Sequence, residues 1–430
     1  RVILRRRSSQ RVVSSAPLVI GCAVIPQGHP SKKVITTCCV IQLRWSSALP
    51  SSRRVILRRR SSQHVVSSAP RSSLRVITRS VYICNVTYII GEIGQNHNGS
   101  VELAKDIIDL AAAPVVEDYF QLSLKPMNAV KLTKRDLNEE LSQSQMNAPY
   151  NSPHSFGATY GEHRTFLELS DEQHEELFHY AKDKGLDFVE TLCARGCLSL
   201  LKRFTPDYLK VASRDLTNLP LLAALAETKI PIILSTGMAG KEELDHALDT
   251  ISHYHSNISI LHCTSEYPTQ PKNVNLNTIR FLQNNYPQYN IGFSDHTLGI
   301  FTPVAAVAMG ATIIEKHITT DRNLKGTDQR GSLGPEGIRR MVRDIRELEL
   351  SIGEVEMKIE DSVASARLKL ERSIAAIREI PVGKIIEEGD LCMLSPGDGF
   401  KWAQRNLVVG KRTSASIPAN EVIYPIHLED

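Results

Sequence analysis

The sequence contains no uninterrupted apolar run approaching the roughly 20 residues of a membrane-spanning helix. Its N-terminus also lacks the continuous apolar stretch of a secretion signal. A soluble, cytoplasmic protein without membrane partners is expected. Acidic residues are absent from residues 1–80, which hold 16 of the 51 lysines and arginines. The remainder carries 35 basic against 47 acidic residues, a net of −12, so the overall charge of +4 conceals an acidic body with no nucleic-acid surface. A cysteine framework is missing too. Eight cysteines are scattered, and Cys193 and Cys197 have no second pair to complete a zinc site, which argues against both a zinc module and a disulfide framework.

What the first 80 residues do contain is a copy. RVILRRRSSQRVVSSAP at 1–17 recurs as RVILRRRSSQHVVSSAP at 54–70, differing only at Arg11 against His64. Two copies without a periodic apolar face do not make a solenoid. The Arg/Ser-rich, acid-free texture is similar to a mitochondrial transit peptide and the RRR runs to a nuclear signal. The favoured expectation is a disordered segment over residues 1–82 that does not weigh on function.

From Val86 the texture changes to alternating strand and helix signals. VTYIIGEI, a stretch near Glu117 to Gln121, DFVET, DYLKVAS, PIILSTG, ISILHCT, NIGFSD and TIIEKHIT give eight strand candidates, and helical spacing follows most of them. Such repetition predicts a (β/α)8 TIM barrel over 83–353, with a doubly wound sheet as runner-up. A polar stretch from Lys125 to Leu169 reads as a long insertion after the second strand. A linker helix over 354–371 and a small, mostly β domain over 372–430 complete the chain; the latter is small for independent catalysis.

His296 and His317 end two of these apolar strands, 21 residues apart with a helical pattern between them. Parallel strands joined by a helix present their C-terminal ends on one face, so two imidazoles converging there can hold a divalent cation with positions open to substrate. Asp295 and Glu315 stand beside them. Lys210 closes the fourth strand, whose other residues suit a barrel interior.

EIGQNHNG, YGEHR, LSTGM, HCTSEYPTQPKNVNL, GFSDHTLG, EKHITTD and RSIAAIREIPVG occur in that order, and together they resemble the sialic acid synthase family of the animal N-acetylneuraminate-9-phosphate synthase type. The resemblance runs from Tyr88 to Leu428 and includes a C-terminal SAF (antifreeze-like) domain. It implies condensation of phosphoenolpyruvate with N-acetylmannosamine or its 6-phosphate, with release of phosphate, a divalent metal (Mn2+ or Mg2+) and a homodimer. It further implies that Lys210, Gln121, Thr191, Ser213 and Ser235 meet phosphoenolpyruvate, that Ser294 binds substrate, that Glu315 works as acid or base near C3, and that Glu92, Tyr267 and Asp328 meet the acceptor. His296 and His317 would hold the metal. His163 and Arg164 in YGEHR are charged candidates for a sugar 6-phosphate, whereas His97, Asn98 and Gly99 are expected to shape a turn and His262 to be structural.

Two departures stand out. The family's Lys-Phe-Gln on the second strand reads Tyr119-Phe120-Gln121 here, which removes a phosphate-binding cation, and its Gly-Ser-Gly after the fourth strand reads Ala212-Ser213-Arg214, which puts bulk beside Ser213. Together they motivate the rival expectation of a catalytically impaired homologue. Another phosphoenolpyruvate-aldose condensing synthase is the remaining alternative.

Overall fold

The computed structural model describes residues 86–117 and 119–429, together with the backbone of strands at 42–44, 54–59, 62–67 and 76–79. Those four strands pair antiparallel in sequence order. The rest of the segment expected to be disordered lies outside the described residues. The chain divides into two compact units, Arg1–Gly353 and Glu354–Asp430.

In the first unit eight parallel strands close into a barrel in sequence order. They are β1 (Tyr88–Gly94), β2 (Ala129–Lys134), β3 (Asp187–Leu192), β4 (Tyr208–Val211), β5 (Ile232–Ser235), β6 (Ile258–Cys263), β7 (Asn290–Asp295) and β8 (Ile313–His317). Side chains alternate across a strand. One set, including Val130, Phe188, Leu209, Leu234 and Ile314, packs outward under the helices in a continuous apolar core. The other set fills the barrel: Ile90, Ala129, Val189, Ile233, Leu261 and Ile313 form a closed apolar layer. Two residues further along each strand the inward positions turn polar, as Glu92, Lys131, Thr191, Ser235, Cys263 and Glu315. The apolar layer is the floor, and its buried side chains contribute about 1.5–3 kcal/mol each for the larger aliphatics. The polar layer above it faces the C-terminal mouth.

Helices follow where caps and apolar spacing ask for them. Ser100 caps α1 (Val101–Ala112) by accepting from Leu103 N–H, and Ser170 with Gln173 forms a capping box for α2 (Asp171–Asp183). A 3-10 helix, Arg195–Lys202, follows β3. Then come α3 (Leu219–Glu227), α4 (Lys241–Ser252), α5 (Asn277–Asn285), α6 (Phe301–Ala308) and α7 (Pro335–Ser351). Arg346 of α7 is buried beneath the barrel and donates to the carbonyls of Thr87, Lys125 and Pro126 and to Asn128 Oδ1.

The second strand is a correction. The run expected there folds instead as a separate antiparallel hairpin, Val115–Glu117 with Leu122–Leu124, and its turn carries Tyr119, Phe120 and Gln121. Tyr119 is 85% exposed and Phe120 71%. The barrel strand is Ala129–Lys134, inside the stretch read as a polar insertion. It looks polar because Lys131 and Thr133 face inward at the mouth, leaving only Val130 and Leu132 for the core outside. The true insertion therefore starts after Lys134.

In the second unit strands Ser373–Ala376 and Leu391–Leu394 pair antiparallel, and isolated bridges such as Ala375 with Val422 and Ile380 with Ile417 extend them. Ile374, Ile380, Ile386, Val408, Ile417 and Ile423 form its core. Asp390 is buried at its edge, accepting from Lys384 Nζ at 2.7 and 2.8 Å, from Arg378 Nη2 at 2.9 Å and from Glu387 N–H at 3.1 Å. Among the described residues no helix is long and apolar enough to cross a membrane.

Candidate active site

The polar layer opens into a cavity of about 470 Å3 at the C-terminal face of the barrel. Its side at β4 and β5 is a cradle of donors. Lys210 Nζ donates to Ser235 Oγ at 2.6 Å and to Val211 O at 3.0 Å, and Ser213 Oγ accepts from Gly237 N–H at 2.9 Å. Gly237 is required by space: a Cβ there would lie 2.8 Å from Ser213 Oγ and 2.9 Å from Cys263 Sγ, and closer still to Ser265 Oγ. One ammonium among hydroxyls suits a phosphate or carboxylate. Burial pushes the Lys210 ammonium below its ordinary pKa.

Next to the cradle the charges alternate. Lys131 Nζ lies 2.6 Å from Glu92 Oε2 and 3.8 Å from Glu315 Oε2, and Lys210 Nζ is 3.9 Å from Glu315 Oε1. Lys131 also donates to Thr191 Oγ1 at 3.3 Å, and Ser294 Oγ donates to Glu315 Oε1 at 2.8 Å. The two buried carboxyls part company. Burial raises Glu92 and outweighs Lys131, so it sits above its ordinary pKa. For Glu315 burial acts in the same direction, but Lys131, Lys210 and the Ser294 hydroxyl overcome it and hold the carboxyl at about 2. Carboxyls driven apart in this way can divide proton-donating and proton-accepting work. Gly94, at φ +53°, leaves room for them: a Cβ would sit 2.8 Å from Glu92 Oε1.

On the β7–β8 side the rings of His296 and His317 stand 5.4 Å apart between centroids, and Tyr267 lies 4.1 Å from His296. His296 Nδ1 is 3.0 Å from Thr264 O. A carbonyl only accepts, so Nδ1 carries the proton and Nε2 keeps its lone pair. Burial, reinforced by His317, pushes the His296 pKa down to about 3, so the ring is neutral. His317 Nδ1 is buried without a hydrogen-bond partner. Two facing imidazoles, one with an unclaimed buried nitrogen, fit a divalent cation. Among the described residues no set of three or more His, Cys, Asp or Glu side chains converges to hold one. The remaining positions would fall to water and substrate.

Most of the residues expected from sequence meet in this cavity: Glu92, Thr191, Lys210, Ser213, Ser235, Tyr267, Ser294, His296, Glu315, His317 and Asp328 all line it. Gln121 does not. It sits in the hairpin turn on the opposite, αβ-loop end of the barrel, because its segment is not a barrel strand. Lys131-Leu132-Thr133 on the true β2 takes the place of Lys-Phe-Gln, so the cation thought lost at Tyr119 is present, with Thr133 where the glutamine would stand. Strand phase explains Asp295: it points away from the cavity and forms a buried ion pair with Lys316, 2.6 Å apart. Arg214 lines the mouth without occupying the cradle, because Glu140, which also takes Arg135 at 2.7 Å, draws its guanidinium away at 2.8 Å. Both motives for an impaired homologue are thereby removed. Of the YGEHR pair only Arg164 reaches the cavity; His163 is buried, accepting from Phe156 N–H at 3.2 Å and packing beside its ring. His97 and Gly99 shape the turn as expected, Gly99 N–H donating to His97 Nδ1 at 3.0 Å, and His262 is tied to Val274 O. Sequence reasoning missed Lys131, Gln95 and Arg135. Only Lys131 carried a signal, the alternation of Ala-Val-Lys-Leu-Thr-Lys.

Comparison with known proteins agrees with this geometry. Residues 125–357 match the NeuB family and residues 371–429 the SAF domain. The chain is 35% identical over 347 residues to an N,N'-diacetyllegionaminic acid synthase of Legionella pneumophila, covering 80% of this chain and 94% of that protein. It is 32% identical over 338 residues to the human N-acetylneuraminate-9-phosphate synthase, covering 78% and 91%. A crystal structure of the N-acetylneuraminic acid synthetase of Leptospira borgpetersenii, in complex with citrate, superposes with a TM-score of 0.54 at 31% identity, covering 66% of this chain and 90% of that one. The chain belongs to the NeuB family of sialic acid synthases and carries a SAF domain at its C-terminal end.

Proposed function

We propose that the protein is a transferase that condenses phosphoenolpyruvate with N-acetylmannosamine 6-phosphate, or N-acetylmannosamine, to form N-acetylneuraminate 9-phosphate, or the free acid, and phosphate. One observation carries the reading: a single cavity joins an ammonium-and-hydroxyl cradle, an alternating row of carboxylates and lysines, and two facing imidazoles. The name of the human relative supports it.

In this reading Lys210, Ser213, Ser235 and Thr191 bind the phosphate and carboxylate of phosphoenolpyruvate, and Lys131 supplies the second cation. The C3 of phosphoenolpyruvate forms a bond to the aldehyde carbon of the acceptor. Water then adds at C2, and phosphate leaves the tetrahedral intermediate. Glu315 stays ionised beside Lys131 and Lys210 and takes a proton from the water that adds at C2, the aldehyde oxygen gaining one as it becomes a hydroxyl, while Glu92 hydrogen-bonds the acceptor with Tyr267 and Asp328. His296 and His317 would hold a divalent cation, Mn2+ or Mg2+, which when bound supplies polarisation of the aldehyde oxygen. A homodimer in the cytoplasm belongs to the same proposal.

The test is phosphate release from phosphoenolpyruvate by the full chain, with each acceptor, after chelation and after Mn2+ addition. Stoichiometric phosphate and a nine-carbon acid are expected. A folded, metal-loaded protein giving neither would end the proposal. The identity with a legionaminic acid synthase favours one second reading, an acceptor of the diacetamido class, which the same assay decides by relative kcat/KM.

A further inference from the structure

Three charged side chains meet at the cavity mouth above β2 and β4. Arg135, just past β2, and Arg214, next to Ser213 of the cradle, both line the cavity, and both donate to one oxygen, Glu140 Oε1, at 2.7 and 2.8 Å. Glu140 ends a short helix of the insertion, Leu137–Glu140. The carboxylate is unevenly used. Its Oε2 is buried without a hydrogen-bond partner, and so is Arg135 Nε, which stands 3.6 Å from Glu168 Oε1, beyond hydrogen-bond reach. A guanidinium and a carboxylate pair best through two parallel bonds, and this donor and this acceptor are the ones a fork between Arg135 and Glu140 would use. With Arg214 on Oε1 the fork stays open.

Arg214 is the member of the three that can leave. Its side chain is 30% exposed against 10% for each of the other two, and its other ion pair, Nε to Asp215 Oδ2 at 3.2 Å, is with the next residue of the chain. After its departure Glu140 still has Arg135, so no buried carboxylate is stranded. An anion in the cradle is what would draw it. Phosphoenolpyruvate brings a phosphate and a carboxylate, whereas Lys131 and Lys210 already face Glu92 and Glu315, two cations against two carboxylates. The row alone leaves that charge poorly matched.

We propose that Arg214 is an exchanging ligand for the phosphate of phosphoenolpyruvate: it rests on Glu140 before substrate binds and turns onto the phosphate beside Ser213 when substrate arrives, while Arg135 and Glu140 close into a two-bond pair behind it. Glu140 is then a positioning residue that competes with substrate for the guanidinium. This rests on the condensation reading above and adds to it a residue that stands where the family carries glycine.

The experiment is a double-mutant cycle in the full chain with Mn2+ present: Arg214→Met, Glu140→Gln and the two together, read by calorimetric binding of phosphoenolpyruvate and by its KM in turnover. Arg214→Met weakens phosphoenolpyruvate about 10- to 100-fold and leaves the acceptor KM unchanged, and Arg214→Lys regains part of the loss. Glu140→Gln acts in the opposite direction: it tightens phosphoenolpyruvate about 3- to 10-fold, because the resting state no longer holds the arginine back. In the Arg214→Met background the same change has less than about a twofold effect. A Glu140→Gln protein that binds phosphoenolpyruvate more weakly than the wild type makes the triad a structural brace and overturns the proposal, and this outcome decides even where Arg214→Met fails to fold. Binding indifferent to Arg214 overturns it too. If no acceptor yields product but phosphoenolpyruvate binding follows the cycle, the condensation reading fails and the exchange stands.

Discussion

Replacing Lys131 by methionine tests whether the cation of the second strand is the one buried in the barrel or belongs to the segment around Tyr119. At an effective dielectric of about 20, the attraction across 2.6 Å to Glu92 is about 6 kcal/mol and that across 3.8 Å to Glu315 about 4 kcal/mol. The ammonium's own desolvation cancels much of this, and removing one partner of a buried pair costs about 3–5 kcal/mol in practice. Glu92, already shifted towards its protonated form, takes up a proton and keeps the loss near the lower figure. Thermal unfolding should then fall by about 6–12 °C. Turnover should fall further, by about 100- to 1000-fold in kcat/KM, because a preorganised cation facing developing charge is lost. Tyr119→Ala is the control: an exposed turn residue should change stability by less than about 0.5 kcal/mol and kcat/KM by less than about twofold. A Lys131→Met protein within tenfold of the wild type, or a Tyr119→Ala protein as damaged as Lys131→Met, would refute the assignment.

Three further outcomes are expected. Gly237→Ala places a methyl among the hydroxyls of the cradle, so KM for phosphoenolpyruvate should rise about 10- to 100-fold with Tm little changed; an unaltered KM means the anion lies elsewhere. Asp295→Asn strands the Lys316 ammonium, whose side chain is 0% exposed, and should cost about 3–5 kcal/mol in denaturant unfolding, whereas a loss below 1 kcal/mol contradicts a buried charge pair. The Lys384 ammonium, helped by Arg378, holds Asp390 at about 2, below the ordinary carboxyl value of about 3.9. Its folded pKa is depressed, so its contribution is complete above pH 4 and is lost as pH falls through 2; because Lys384 and Arg378 are themselves 33% and 65% exposed, that contribution is about 1–2 kcal/mol. Acid unfolding of the full chain should lose this increment in Asp390→Asn, and identical acid profiles would dismiss it.

Seven of the eight barrel strands were legible because their outward faces are continuous in β-branched and apolar residues. The eighth hid its role: Lys131 and Thr133 are polar because they build the site, and polarity there reads as loop. VVEDYF offered a better apolar run and folded as a hairpin. The strand-end residues His296, Glu315, His317 and Lys210 were legible for the opposite reason, since polar side chains in phase with an apolar strand have few other uses. Arg164 and Gln95 meet across 69 residues of chain, and no local pattern announces that neutral partnership. The direction of Arg214 was equally hidden. Glu140 decides it, from a short helix in the insertion.

The hairpin Val115–Leu124 enters the chain between a helix and the strand after it, at the end of the barrel away from the cavity. Ten residues can be added there without moving any reactive group, and Arg346 fastens the adjoining backbone through the carbonyls of Lys125 and Pro126. Length at the closed end is thus uncoupled from the chemistry at the open end, because the strand that carries Lys131 is anchored on the far side of the hairpin.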